Sequence, residues 1–268
     1  MREERGASEV QMWERLARWQ DRWVQHNDYV SLFLPKLQAL LGPKSRVLEI
    51  GPGSGAFTLP LAQSVREVVA LEPAATMGDV LTRNLCAAGV DNVRVVPQRV
   101  EEGLADLGGP FDLVLASHSL YNVRPIDRVV RELVDLAPQV VILMGTGERR
   151  AWFQSLYRRF KGRERVPPPH VGHFYPVLLE MGILADVEIV WTSYNYVFES
   201  EGALLGWWAG YFGLEAHHDA LRSALLGLAE RRDGTIGLYD RRRTAWIRID
   251  RARSLQKETR LFCKKPGF

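Results

Sequence analysis

Arg46-Val47-Leu48-Glu49-Ile50-Gly51-Pro52-Gly53-Ser54-Gly55 is the stretch that decides how this 268-residue chain folds. Val47, Leu48 and Ile50 make a short apolar run of the kind buried in a sheet, and the run stops at three alternating glycines. Without a Cβ, Gly51, Gly53 and Gly55 allow a turn whose backbone a ligand can approach closely. Phe57, Leu59, Leu61 and Ala62 then predict a helix from near Ala56 that points its N-terminus at the same ligand. The spacing is GxGxG, whereas the dinucleotide fingerprint is GxGxxG. That difference argues against a nicotinamide dinucleotide.

Working outward, Val68-Val69-Ala70-Leu71 is a second apolar run. It ends at Glu72, where a carboxylate can accept two hydrogen bonds from a ribose diol. Val93-Val96, Phe111-Ser117 and Val140-Met144 predict three more strands, with segments of helical composition between them. Strands that alternate with helices and are near-continuously apolar make an α/β protein with a parallel sheet covered on both faces.

Three segments in order, VLEIGPGSGAFTLPLA, then VVALEP with Met77 shortly after, then FDLVLASHSLY, resemble the glycine-rich, acidic-strand and fourth-strand motifs of the class I S-adenosylmethionine-dependent methyltransferase family. The resemblance implies a Rossmann-like, doubly wound, mostly parallel seven-stranded sheet and S-adenosyl-L-methionine as cofactor. The cofactor residues it implies are Glu49, Gly51, Pro52, Gly53, Ser54 and Gly55 at the turn, Glu72, Pro73 and Met77 after the second strand, and Ser117 after the fourth. Around Gln98-Arg99-Val100-Glu101 the chain departs from the aspartate and small residue that many members set against the adenine. Arg99 and Val100 are carried over as adenine contacts across that departure.

Length and a hydrophobic content of 46% are enough for a substantial core. The expected organisation is an N-terminal helical lid over residues 1–43 and a methyltransferase domain over 44–268, with a helical insertion at about 199–235 between the last two strands. No stretch approaches 18 consecutive apolar residues and MREERGASEV lacks a signal-peptide core, so a cytoplasmic protein with no membrane partner is expected. Cys86 and Cys263 have neither disulfide-scaffold density nor metal-ligand spacing and are read as free thiols. The net charge of +3 divides unevenly: Tyr239–Phe268 holds ten Lys or Arg against three Asp or Glu. Nucleic acid could meet such a tail. Ala245, Ile247 and Ile249 alternate behind Arg241-Arg242-Arg243, however, and suit a charged edge strand, which makes a solvated surface the favoured reading.

Three regions are less regular. Met12, Leu16, Trp19 and Trp23 share one helical face, with Trp13 and Tyr29 adding aromatic area, and predict a helix that packs on the fold or closes over the ligands. Residues 147–175 carry Trp152, Phe153, Tyr157, Phe160, a basic run and three prolines, and follow the fifth strand, so they are expected beside the site. His170 and His173 in that segment are proton-acceptor candidates or loop-capping residues. Between a sixth strand running from Val187 through Tyr196 and a seventh over Thr244–Ile249, Leu204, Leu205, Trp208 and Phe212, then Leu221, Leu225 and Leu228, predict two amphipathic helices. This pair is read as a cap or as the surface of a homodimer. His217 and His218 have only Glu215 at helical spacing, and no metal site is expected.

The resemblance implies methyl transfer from a sulfonium, for which positioning the nucleophile supplies most of the rate. A hydroxyl or protonated amine acceptor also needs a base, and His118 and Tyr121, just past the fourth strand, are the catalytic candidates. The segment Ala116-Ser117-His118-Ser119-Leu120-Tyr121 is not Asn-Pro-Pro-Tyr-like, which counts against methylation of exocyclic amines. The leading expectation is therefore a methyltransferase acting on a small-molecule acceptor. RNA or protein methylation, and a cofactor-binding module without turnover, are the alternatives.

Overall fold

The computed structural model describes residues 24–215 and 218–255. The expectations placed on Met12, Trp13, Leu16, Trp19, Trp23, His217, Cys263 and the tail beyond Leu255 lie outside the described residues. In chain order the elements are α1 (Tyr29–Gln38), β1 (Arg46–Ile50), α2 (Thr58–Ala62), β2 (Glu67–Leu71), α3 (Ala75–Ala87), β3 (Val93–Val96), β4 (Leu113–Ser117), α4 (Ile126–Leu136), β5 (Gln139–Gly145), α5 (Ala151–Lys161) and α6 (Val171–Glu180). There follow β6 (Asp186–Ser193), β7 (Tyr196–Phe198), α7 (Glu201–Phe212), α8 (Asp219–Leu226), β8 (Glu230–Arg232), β9 (Thr235–Leu238), β10 (Arg241–Asp250) and α9 (Arg251–Leu255).

The main sheet has seven strands in the order β3-β2-β1-β4-β5-β10-β6. The first five run parallel, and β10 is antiparallel to both of its neighbours. Strand order reverses between β1 and β4, and in an open α/β sheet that switch point is where a crevice opens at the carboxyl ends of the strands. Period-two alternation distributes the core over two faces. Leu48 and Ile50 of β1 pack in a buried cluster with Val129, Val130 and Leu133 of α4 and Phe174 and Leu178 of α6. Val47 points the other way, into a cluster with Phe33 and Leu37 of α1 and Leu61 of α2. Phe33 stacks on Trp246 at 5.8 Å between ring centroids and ties α1 to β10.

Several expectations change at the ends of elements and in the insertion. The helix after the glycine turn starts at Thr58, not near Ala56, and has five residues. The seventh strand is longer than Thr244–Ile249 and is interior: Thr244–Asp250 pairs with β5 and Arg241–Arg248 with β6. Alternating burial alone cannot tell an edge strand from one with partners on both sides, because hydrogen-bond neighbours leave no mark on the side-chain period. The edge is β6, with Val187, Ile189 and Trp191 exposed. Tyr196 lies beyond β6, in a second sheet of order β7-β9-β8 that the helical reading of the insertion did not include. This sheet packs with α7 and α8 around Trp208, which is fully buried against Phe153, Tyr196 and Phe212. Among the described residues no helix is long and apolar enough to cross a membrane.

Candidate active site

Gly51 sits at φ +66° where β1 turns away from the sheet, and a Cβ there would lie 2.6 Å from the Cβ of Ser119. The glycine is therefore required by the loop after β4, which crosses the turn at van der Waals distance. Gly53 N–H donates to Glu72 Oε2 at 3.3 Å, and Ala74 N–H donates to Oε1 at 3.0 Å. These bonds aim the Glu72 carboxylate across the turn from the end of β2. The carboxyl is 7% exposed, and burial raises its pKa to about 7 against the lowering effect of the two N–H groups. Glu49, on the α2 side of β1, is buried and accepts from Thr58 Oγ1 at 2.7 Å. Burial likewise pushes it up to about 7; the Thr58 bond opposes the shift and the Glu72 charge adds to it.

A cavity of about 670 Å³ opens over this turn and continues along the carboxyl edge of the sheet. All of the carried-over cofactor residues line it except Gly55. Gly55 instead takes φ +97° with its missing Cβ directed at Leu81 and Leu59, so it serves helix packing and not the cavity. Arg99 and Val100 line it despite the altered local pattern, and Met77 is buried in its wall. The Ser119 hydroxyl is buried without a hydrogen-bond partner where that loop meets the turn.

At the end of β4, His118 holds φ +56°, an uncommon angle for a residue with a side chain, while its N–H donates to Leu143 O at 2.9 Å. Its Nδ1 is 2.6 Å from the Tyr121 hydroxyl, and that oxygen accepts from Gly145 N–H at 3.0 Å. Burial and then the Arg242 charge lower the imidazole to about 4, so it is neutral at pH 7. The tyrosine is pushed up to about 12 by burial and keeps its proton. Both line the cavity, and Tyr29 of α1 closes over them with its ring 6.2 Å from that of His118. Among the other histidines, Nδ1 of His170 accepts from Gly172 N–H at 3.1 Å and caps α6, and Nδ1 of His218 accepts from Leu221 N–H at 3.3 Å and caps α8. His170 also reaches the cavity wall.

The far wall combines the segment after the fifth strand and the insertion, both expected near the site, with residues that the sequence reading did not place there. It is built from Arg150 at the start of α5, Tyr194 after β6, Trp207 of α7 and Arg242 of β10. One signal for Arg242 was available: an antiparallel final strand must begin at the carboxyl edge of its parallel neighbours, so the basic triplet that opens it belongs near the site.

A family model described as "Methyltransferase domain" matches residues 17–176, more than half of the chain. The chain belongs to the class I S-adenosylmethionine-dependent methyltransferases. An uncharacterised protein of Haemophilus influenzae is 26% identical to this methyltransferase over 200 residues, which cover 73% of this chain and 68% of that protein. Shorter stretches are similar to RNA and protein methyltransferases; one, a ribosomal RNA small subunit methyltransferase A of Desulforapulum autotrophicum, is 37% identical over 87 residues, and 31% of its length is spanned. Among solved structures, a putative methyltransferase of Bacillus halodurans superposes with a TM-score of 0.55 at 14% identity, covering 83% of this chain and 98% of that one. DhpI in complex with S-adenosylhomocysteine gives 0.51 at 20% identity, covering 68% and 89%.

The residues of this methyltransferase fit its cofactor. Two buried carboxylates at one end of the cavity suit a ligand that carries cationic groups and a ribose diol, and the glycine turn leaves its backbone accessible between them. Glu72 retains lone pairs beyond the two it gives to Gly53 and Ala74. The unpartnered Ser119 hydroxyl offers a further polar contact.

Proposed function

We propose that this methyltransferase acts on a small-molecule acceptor bound beyond the glycine turn, against His118 and Tyr121. The supporting observation is the enclosure of the cavity. Its walls come from the sheet, from the proline segment 167–169 and from the inserted helix α7, and its volume suits a cofactor with a modest second ligand. The lid reading of residues 1–43 is kept on the ground that Val24, Asn27 and Tyr29 line the same space.

Bound S-adenosylmethionine supplies an electrophilic methyl group on a sulfonium. What the chain supplies is position. Neutral His118 and protonated Tyr121 are held to each other and to the Gly145 N–H, so they present a fixed hydrogen-bonding pair at the floor of the acceptor space. An imidazole lowered to about 4 is a weak base. The pair therefore orients the acceptor atom and does not serve as its strong base. Excluding water strengthens these contacts.

The test has two parts. S-Adenosylhomocysteine should bind the purified protein, and Glu72→Ala should weaken binding at least about tenfold by removing charge-assisted hydrogen bonds worth about 1.5–3 kcal/mol. Radiolabelled S-adenosylmethionine incubated with fractionated cell extract should then label small molecules. Label that enters RNA instead, at a rate falling steeply with salt, would replace this reading.

A further inference from the structure

The cavity is electrically two-ended, and only the acidic end has been given a ligand. At the other end the antiparallel start of β10, the residues following β6 and the first turn of α5 converge. They bring Arg242, Tyr194 and Arg150 together past Tyr121. The Arg150 side chain is 9% exposed and lies 4.7–5.8 Å from the ring centroids of Trp152, Phe153, Tyr194 and Tyr196. Its Nη1 is 3.5 Å from Asp240 Oδ2 without hydrogen-bonding geometry, so that buried nitrogen has no hydrogen-bond partner. Asp240 is itself shared, since Oδ2 accepts from Trp152 Nε1–H at 3.1 Å.

Arg242 is less compensated still. Its guanidinium lies 3.3 Å from the centroid of the Tyr194 ring, its Nε is buried without a hydrogen-bond partner, and no carboxylate among the described residues pairs with it. Arg165 adds a third guanidinium, 5.4 Å from the Phe153 centroid, in the same lining. Burial opposes ionisation of Tyr194, yet the charges of Arg242 and Arg150, a hydrogen bond with Tyr196 and the charge of Arg165 together outweigh it and lower the phenol's pKa. Three guanidiniums in a partly desolvated wall, of which only Arg150 has a carboxylate beside it among the described residues, are costly unless an anion completes them. Guanidinium forks match the oxygens of carboxylates and phosphates, and the surrounding rings of Tyr194, Tyr196, Trp207 and Tyr211 offer flat apolar faces beside them.

We propose that the acceptor is a small organic anion, a flat apolar body bearing a carboxylate or phosphate, whose oxyanion is held by Arg242 and Arg150 while its methyl-accepting atom meets His118 and Tyr121. This rests on the small-molecule reading of the site and names the substrate class it would take. Anchoring the negative group at the basic end keeps it away from the two carboxylates and leaves the uncharged end of the acceptor toward the glycine turn.

Titration calorimetry in saturating S-adenosylhomocysteine, with benzoate, phenyl phosphate, benzamide and benzylammonium as probes, tests it. One oxyanion should bind at least about tenfold more tightly than benzamide, the loss expected for an unmade charge-assisted contact. The better of benzoate and phenyl phosphate identifies the group. Benzylammonium should not bind. Arg242→Gln should lower oxyanion affinity at least about tenfold, with Arg242→Lys between it and the wild type, while both variants keep their affinity for S-adenosylhomocysteine within about twofold. Equal binding of benzamide and the oxyanions, no oxyanion binding at all, or unchanged affinity in both Arg242 variants that still bind S-adenosylhomocysteine would each overturn the proposal. Transfer of label to RNA together with Arg242-dependent oxyanion binding would remove the small-molecule reading and leave the anion site standing.

Discussion

Glu49 makes a quantitative prediction possible, because it is a fully buried carboxyl whose main partner is a neutral hydroxyl. Its pKa rises from 4.5 to about 7 on folding, chiefly through burial. Between those two values the folded protein holds a proton that the unfolded chain has released, so folding stability falls as pH rises through this window and levels off above about 7. At about 1.4 kcal/mol per pKa unit, the loss attributable to Glu49 is about 3 kcal/mol. Glu49→Gln removes the titration while keeping an oxygen for Thr58. Any fixed cost of seating the amide is the same at every pH and cancels when the two profiles are subtracted. The difference in stability between Glu49→Gln and wild type should therefore move in the variant's favour by about 3 kcal/mol from pH 4.5 to pH 8. For a chain of this size that is roughly 6–12 °C in relative melting temperature. Thermal unfolding of both proteins without cofactor, in matched buffers across this range, gives the answer. Parallel profiles would show that the Glu49 carboxylate is hydrated or otherwise compensated in solution, and would refute the assignment of the shift to burial.

Two further substitutions probe the turn and the insertion. Gly51→Ala puts a Cβ 2.6 Å from the Cβ of Ser119 at a left-handed backbone angle; calorimetry should show at least about a tenfold loss of cofactor affinity, with roughly 1–3 kcal/mol of lost stability, and unchanged values would mean that the loop after β4 yields freely. Trp208→Ala empties the centre of the second core and should cost about 3–5 kcal/mol; hydrogen exchange should show faster opening over residues 196–238, whereas uniform protection would mean the insertion does not rest on this side chain.

The glycine turn, Glu72 and the succession of the first five strands along the chain could be read because each depends on neighbours close in sequence: an apolar run, a residue type at its end, and a glycine where no side chain fits. Arg150, Tyr194, Trp207 and Arg242 could not be read in the same way. They become neighbours only when β10 inserts between β5 and β6, and a strand's alternation records which face is buried, not which strands lie beside it. The second sheet escaped for a related reason. Its strands are three or four residues long, too short for a period to stand out from the amphipathic helices around them.

The interior position of β10 also has a consequence for synthesis. On the ribosome β5 and β6 are complete before β10 exists, so the strand that must separate them is the last of the ten to be made. Synthesis at about 5–20 residues per second takes several seconds to travel from Ser193 to Asp250. During that time the open side of β5 and the apolar row Val187, Ile189 and Trp191 on β6 have unsatisfied backbone groups facing the gap. The compact insertion emerges in the same interval. The sheet closes, and the cavity wall is completed, only with the strand that carries Arg242.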